Sequence, residues 1–371
     1  MTRRILFSLA VVMAAACASN SMDDDRRSEA AATSTASSSG YSAIEGTIPV
    51  GVIPAATVHD ASRNKDVELS IDYPTRGGSN FPIIIFSHGF GGKGTGYEGL
   101  ASYWTSHGYV VIRPTHADAG QLRSLRDVED IWDTQKEAEW RNRVRDVTAV
   151  IDGLNDLEQR YPELKGKMDH THIGVGGHSY GAFTTMLVAG AKPNVTPPLD
   201  LHDSRVRAAM AMSPQGIGAK PPLSAQSWHD VKIPMIYMTG SLDRSLDEKE
   251  DAAAWRRSAY ENTPAGDKYF VEIAGARHLS FAGLGTGELM QRQRSQVDPW
   301  GNNRTTTGYD PRNDSRNAPG FGNQQRIFGT IKIVSLAFWD AYLKDKTTAR
   351  DYLKGTQIEQ LNGAGMVVLR K

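Results

Sequence analysis

From about Glu45 onward, short runs of β-branched and other apolar residues alternate with longer stretches in which apolar residues recur every three or four positions. The first pattern is that of strands, the second that of amphipathic helices. Strands are predicted at Glu68 to Tyr73, Ile83 to Ser87, Tyr109 to Arg113, His172 to Gly176, Arg207 to Met212, Met235 to Thr239 and Lys268 to Ile273. Several are nearly unbroken apolar runs, as expected of parallel strands covered on both faces. Between the third and fourth, Val144, Val147, Ile151, Leu154 and Leu157 trace one buried helix face, which Pro162 ends. A last helix is predicted over Ile331 to Leu343, carrying Ile333, Val334, Ala337, Phe338 and Tyr342. This alternation predicts an α/β fold with a mostly parallel central sheet and helices on both faces. About twenty residues separate the strand ending at Met212 from the one starting at Met235. That is too few for a large cap domain, so an open cleft is expected.

The amino-terminal region departs from this pattern. Residues 1–16 pair Arg3 and Arg4 with an apolar run from Ile5 to Ala16, the make-up of a signal peptide and shorter than the ~20 apolar residues that span a bilayer. Cys17, the only cysteine, follows Ala14, Ala15 and Ala16. This resembles the lipobox of bacterial lipoproteins, with alanine where leucine usually stands three positions before the cysteine. The expectation is therefore an exported protein, anchored in the bacterial cell envelope through a lipid on Cys17 or secreted. Residues 17–44 are dominated by Ser, Ala, Thr and Asp and lack the apolar side chains to build a core, so they read as a disordered tether. Residues 45–371 are left as one catalytic domain. Within it, residues 283–325 are rich in Gly, Asn, Arg and Gln, the composition of a long loop that is either functional or disordered. Lys plus Arg and Asp plus Glu both total 42. That balance leaves no basic excess to grip a phosphate backbone, and nucleic acid is excluded as the partner.

Candidate chemistry centres on Gly177-His178-Ser179-Tyr180-Gly181, a G-x-S-x-G sequence that gains meaning from its setting. An apolar strand leads in and a helix-forming stretch leads out, the strand–turn–helix order that holds a nucleophilic serine in a strained turn. A serine hydroxyl needs a base and an acid that orients the base, in the chain order Ser, acid, His. Asp243 follows the strand that starts at Met235, and His278 follows the strand that starts at Lys268. Both fall at strand carboxyl ends, where ligand-facing residues of open α/β sheets gather. Ser179, Asp243 and His278 are accordingly the predicted nucleophile, acid and base. Asp247 is a rival acid, but its place at a helix start is explained by the helix dipole alone. His178 reads as a packing residue of the turn. Donors for an oxyanion are expected from the amides of Tyr180 and of Phe90, in the loop Phe86 to Gly92. Substrate walls are expected from Gly91, Ser213, Pro214 and Gln215. No metal or other cofactor is called for.

Through PIIIFSHGFGG, IGVGGHSYGAFTTML, TGSLD and the GARH block, the chain resembles α/β-hydrolases of the bacterial dienelactone-hydrolase-like group and the related platelet-activating-factor acetylhydrolases and chlorophyllases. The similarity covers roughly Phe81 to Phe281, plus AFWDAYLK near the end. It implies an α/β-hydrolase fold and cofactor-free cleavage of carboxylic esters through an acyl-enzyme, as in a lipase or esterase. Cutinases and polyester hydrolases share the plan, so a small-molecule, lipid or polyester substrate is implied. True dienelactone hydrolases use a cysteine nucleophile; here the turn carries Ser179, so that substrate is not implied. Two other readings remain open: an acyltransferase or thioesterase with the same triad, and a surface-tethered binding protein whose triad is inactive.

Overall fold

The computed structural model describes residues 40–121, 137–218, 222–244, 252–283, 321–361 and 366–371. Residues 1–16, Cys17, Asp247 and most of the 283–325 segment lie outside them.

Each strand predicted from the sequence is present, usually a few residues longer. They are β2 (Lys65–Pro74), β3 (Phe81–Ser87), β4 (Val110–Pro114), β5 (Met168–His178), β6 (Val206–Met212), β7 (Met235–Leu242) and β8 (Lys268–Arg277). Two further strands were not predicted, β1 (Val50–Asp60) and β9 (Met366–Arg370). Both are edge strands that pair antiparallel with a neighbour; β1 leaves much of its length exposed and β9 is only half-buried, so neither shows a clean hydrophobic signature. Among the described residues the sheet has nine strands in the order β1-β2-β4-β3-β5-β6-β7-β8-β9. The block from β4 through β3, β5, β6 and β7 to β8 is parallel.

Successive residues of the central strands face opposite cores, the consequence of a two-residue side-chain period. Ile83, Ile85, Val175, Ala209, Ala211 and Tyr237 join one buried cluster with α2 (Glu137–Asp152), α3 (Leu154–Arg160) and α4 (Tyr180–Val188). Ile84, Phe86, Met210, Met212 and Met238 join the other with α1 (Glu98–Ser106), α6 (Phe321–Leu343) and α7 (Thr347–Lys354). Helices thus cover both faces, and α5 (Ala252–Asn262) packs beside β7 and β8. β5 needs glycine at 174 because a Cβ there would lie 2.7 Å from the Trp339 ring of α6.

Helix α6 begins at Phe321, not Ile331, so residues 321–325 are helical and not loop. Gly322 and Gly329 weaken the apolar periodicity of its first half and hide that start in the sequence. The β6–β7 connection carries a one-pair bridge, Gly218 with Leu223, and a short 3-10 turn, Ala225–Trp228. Among the described residues no helix is long and apolar enough to cross a membrane.

Candidate active site

β5 ends at His178 and α4 begins at Tyr180, leaving Ser179 alone to make the turn. Its backbone sits at φ 56°, ψ −118°, a region that costs a residue with a Cβ about 1–3 kcal/mol. The turn is held from below: the Ser179 amide donates to the Met212 carbonyl (2.9 Å), and Gln215 Nε2 donates to the Ser179 carbonyl (3.0 Å). The flanking glycines let strand and helix approach. A Cβ on Gly181 would stand 1.9 Å from the Ser87 carbonyl oxygen, and one on Gly177 would stand 2.3 Å from that of Gly181.

The strand ends bring two more predicted residues to Ser179. His278, first residue after β8, places Nε2 2.9 Å from Ser179 Oγ and Nδ1 2.8 Å from Asp243 Oδ1. Asp243, just after β7, is buried; its Oδ2 accepts from Thr239 Oγ1 (2.9 Å), and Arg256 Nη2 lies 3.1 Å from Oδ1. Burial opposes ionisation of this carboxyl, but the Arg256 guanidinium and then His278 outweigh it and hold its pKa well below the usual range. An ionised carboxylate only accepts, so Nδ1 of His278 carries the proton and Nε2 presents its lone pair to the serine hydroxyl. The His278 side chain is 27% exposed while that of Asp243 is fully covered. The array therefore runs from a dry carboxylate to a wet imidazole edge.

Arg256, on α5, was not foreseen. Its guanidinium also donates to the carbonyls of Ser213 (2.8 Å) and Pro214 (2.9 Å), and its Nε to that of Asp243 (3.2 Å). Ser213, Pro214 and Gln215, named from the sequence as substrate walls, are buried. They lie beneath the site, bonded to Arg256 and to the Ser179 carbonyl.

Beside Ser179 runs the loop after β3. A Cβ on Gly89 would be 3.5 Å from Ser179 Cβ, and the half-buried Phe90 ring meets the Tyr180 ring edge-on at 6.1 Å. The Gly89 amide donates to Tyr97 Oη (3.2 Å), which lies 2.8 Å from His178 Nδ1 and so ties loop to turn. The Gly91 amide donates to Asp118 Oδ2 (2.9 Å). Arg143, buried on α2, donates to Asp118 Oδ1 (2.9 Å) and to the His88 carbonyl through both Nη1 and Nη2 (2.9 Å each).

Under this loop lies a second serine–histidine–aspartate array. Ser87 Oγ is 2.9 Å from His116 Nε2, and His116 Nδ1 is 2.9 Å from Asp146 Oδ2, all three buried. Burial first, and then Arg143, push His116 down to about 4. His116 is thus neutral at pH 7, donating to Asp146 and accepting from Ser87. His88 is neutral for the same reasons, burial and then Arg143, and its Nε2 accepts from the His116 amide (3.1 Å).

The sequence carried signals for three of the residues it did not yield. Arg143 and Asp146 sit among the apolar positions of the α2 stripe, where charge needs a partner. Asp118 follows a strand's carboxyl end, as Asp243 does. Among the described residues no cluster of His, Cys, Asp and Glu is arranged to hold a metal ion. A groove of about 460 Å³ lined by Phe81, His107, Asp169 and Lys344 lies at the amino ends of β3 and β5, away from Ser179.

A mostly parallel sheet with a serine turn at the end of β5, and an aspartate and histidine at the ends of β7 and β8, is an α/β-hydrolase fold. Comparison with known proteins agrees: residues 43–202 match the family model described as Chlorophyllase. The chain is 19% identical over 253 residues to a platelet-activating factor acetylhydrolase of Cavia porcellus, covering 60% of this chain and 53% of that protein. It is 23% identical over 211 residues to cutinase est1 of Thermobifida alba, covering 57% of each, and 22% identical over 213 residues to cutinase cut1 of Thermobifida fusca, covering 57% and 53%. The matches thus span little more than half the length of these curated relatives.

Proposed function

We propose that the protein is a serine hydrolase that cleaves carboxylic esters through an acyl-enzyme. The observation that carries this reading is the unbroken chain from strained Ser179 through His278 to buried, ionised Asp243. In the cycle, Ser179 Oγ attacks the ester carbonyl while His278 Nε2 takes its proton, and Asp243 holds the imidazole in the tautomer that can do so. Collapse expels the alcohol with that proton and leaves the acyl group on Ser179. Water, activated by the same nitrogen, then releases the acid.

The oxyanion is assigned to the amides of Phe90 and Tyr180. The amides on either side of Phe90 are engaged, Gly89 with Tyr97 and Gly91 with Asp118. Among the described residues the Phe90 amide has no such partner, and its neighbour Gly89 lies against Ser179. Gly91 continues that wall of the cleft. Leu242 and Leu279, 39% and 36% exposed, immediately adjoin Asp243 and His278, which supports an ester with an apolar portion. The names of the relatives, cutinase and platelet-activating factor acetylhydrolase, point to the same broad class.

Fluorophosphonate labelling tests the reading. Wild type should be labelled once, at Ser179, and should hydrolyse chromogenic esters; Ser179→Ala should do neither. An unlabelled wild type, or equal labelling of Ser179→Ala, overturns it. Alcohol, amine and thioester substrates, with product analysis, separate hydrolysis from acyl transfer or thioester cleavage.

Export belongs to the same proposal: residues 1–16 as a signal peptide, Cys17 as the lipid attachment point, residues 17–44 as a tether and residues 45–371 as the catalytic domain. The composition of these segments supports it. Mass spectrometry of the mature amino terminus checks it, a lipid-modified Cys17 being the expected result.

A further inference from the structure

The loop that carries Phe90 is gripped from one point. Arg143 donates to the carbonyls of His88 and, at 3.4 Å, Gly89, on the amino side of Phe90. On the carboxyl side, the Gly91 amide is held by Asp118, whose other oxygen is bound by Arg143 Nε. The same guanidinium lies 4.4 Å from the centroid of the Tyr180 ring. The two residues proposed to supply oxyanion donors belong to different elements, the β3 loop and the start of α4. Arg143, on a third element, touches the backbone frame of one and the side chain of the other. It is 2% exposed, and nothing it touches is the predicted nucleophile, base or acid.

We propose that Arg143, with Asp118 as its counter-ion, is a positioning residue that sets the spacing between the Phe90 and Tyr180 amides. The proposal rests on the serine hydrolase reading. An oxyanion hole works only if its donors are already at hydrogen-bond distance from the place where charge develops. The loop is glycine-rich and would be free to drift without such a clamp. Arginine suits the task because its planar fork reaches two carbonyls, a carboxylate and a ring face at once, whereas a lysine ammonium is a point donor on a flexible stem. Asp118 is itself ionised: burial opposes this, but Arg143 outweighs it and brings the carboxyl down to about 2. The guanidinium is therefore neutralised inside the fold, which a buried cation requires.

The test uses Arg143→Lys, Arg143→Met and Asp118→Asn in the full chain, each with its active serines counted by fluorophosphonate titration. Turnover per titrated serine on a chromogenic ester should fall about ten- to a hundredfold in both Arg143 variants, the penalty of a misplacement near 1 Å. In Asp118→Asn the loss should be smaller, because asparagine Oδ1 can still accept from Gly91. KM should stay within about threefold, and the acid limb of the pH profile should not move, since His278 and Asp243 are untouched. A residue that merely supports the fold would lower the melting temperature or the titratable fraction and leave turnover per titrated serine unchanged. That result, or full turnover in Arg143→Lys, overturns the assignment. If Arg143→Met does not fold, Asp118→Asn and Arg143→Lys decide. A wild type that is not labelled overturns the hydrolase reading and this assignment with it; a labelled wild type with unaltered variants overturns this assignment alone.

Discussion

Two serine–histidine–aspartate arrays lie in this protein, with nearly equal hydrogen-bond lengths and opposite settings. In one, Ser179 turns on a backbone at φ 56° and faces an imidazole that is 27% exposed. In the other, Ser87 is the last residue of a regular strand, and Ser87, His116 and Asp146 are all at most 1% exposed. The comparison teaches that the triplet of residue types and its spacing do not make a nucleophile. A reacting serine also needs open space above Oγ, nearby amides to receive an oxyanion, and a base whose proton can leave. Ser179 is partly exposed and, on our reading, meets all three needs; Ser87 is buried and has a guanidinium beside it, with Arg143 Nη1 3.4 Å from its Oγ. The buried array ties the floor of the β3 loop to α2, and its serine is a hydrogen-bond donor in a frame.

The largest contrast should come from the two serines' chemistry. Ser179→Ala should lower turnover on the order of a million-fold, by analogy with triads dismantled one residue at a time. A residual activity within a hundredfold of wild type, measured on a chromogenic ester per mole of purified protein, would sink the assignment.

Next is the carboxylate. Asp243→Asn should lower turnover about ten-thousandfold, because an amide can present its NH₂ to Nδ1 and favour the wrong tautomer. It also takes the negative charge from beside buried Arg256, so the melting temperature should fall in the same variant. Scanning calorimetry beside the rate measurement separates the two effects. A variant with normal turnover would move the orienting role elsewhere, Asp247 being the obvious rival.

How these arrays could be read from sequence differs in the same instructive way. The meeting of Ser179, Asp243 and His278 was legible because each follows a parallel strand, and residues at such strand ends share one edge of the sheet. The interior strands were legible because burial on both faces forces continuous apolar runs. β1 and β9 were not, since an edge strand is only partly covered. Arg143 and Asp118 left local signals that something must pair with them, but the identity of the partner escaped, as Arg256 did, because no local period or turn encodes a contact between α2 and the β3 loop. Gln215 and Ser213 were read as walls from loop order, a pattern that does not encode their burial or their bonds to Ser179 and Arg256.

The buried array should announce itself through pH and not through rate. An unfolded histidine titrates near 6.5, while folded His116 is held at about 4. Between those values the unfolded chain binds a proton that the folded one refuses, so stability falls as pH drops from about 6.5 to about 4 and this group costs nothing further below. The contribution is on the order of 3 kcal/mol across that window. His88 and His178, whose pKa values burial also lowers, act in the same direction. His116→Gln should therefore remove about one proton from the slope of unfolding free energy against pH, read from urea midpoints, without flattening it. Parallel curves for the two proteins would mean that His116 takes up its proton as readily in the folded state as in the unfolded chain.

The smallest effect sharpens the comparison most. Ser87→Ala deletes a hydroxyl whose bond to His116 is buried, leaving Nε2 without a donor at a cost of about 1–3 kcal/mol in unfolding free energy. Turnover per titrated serine should change less than about threefold, because the carbonyls of His88 and Gly89 and the amide of Gly91 are still held by Arg143 and Asp118. If turnover falls tenfold or more with the titratable fraction intact, the buried array is coupled to the oxyanion loop and its serine is not merely framework. If neither stability nor rate moves, His116 holds its place through Asp146 alone, and the resemblance between the two arrays is one of residue type only.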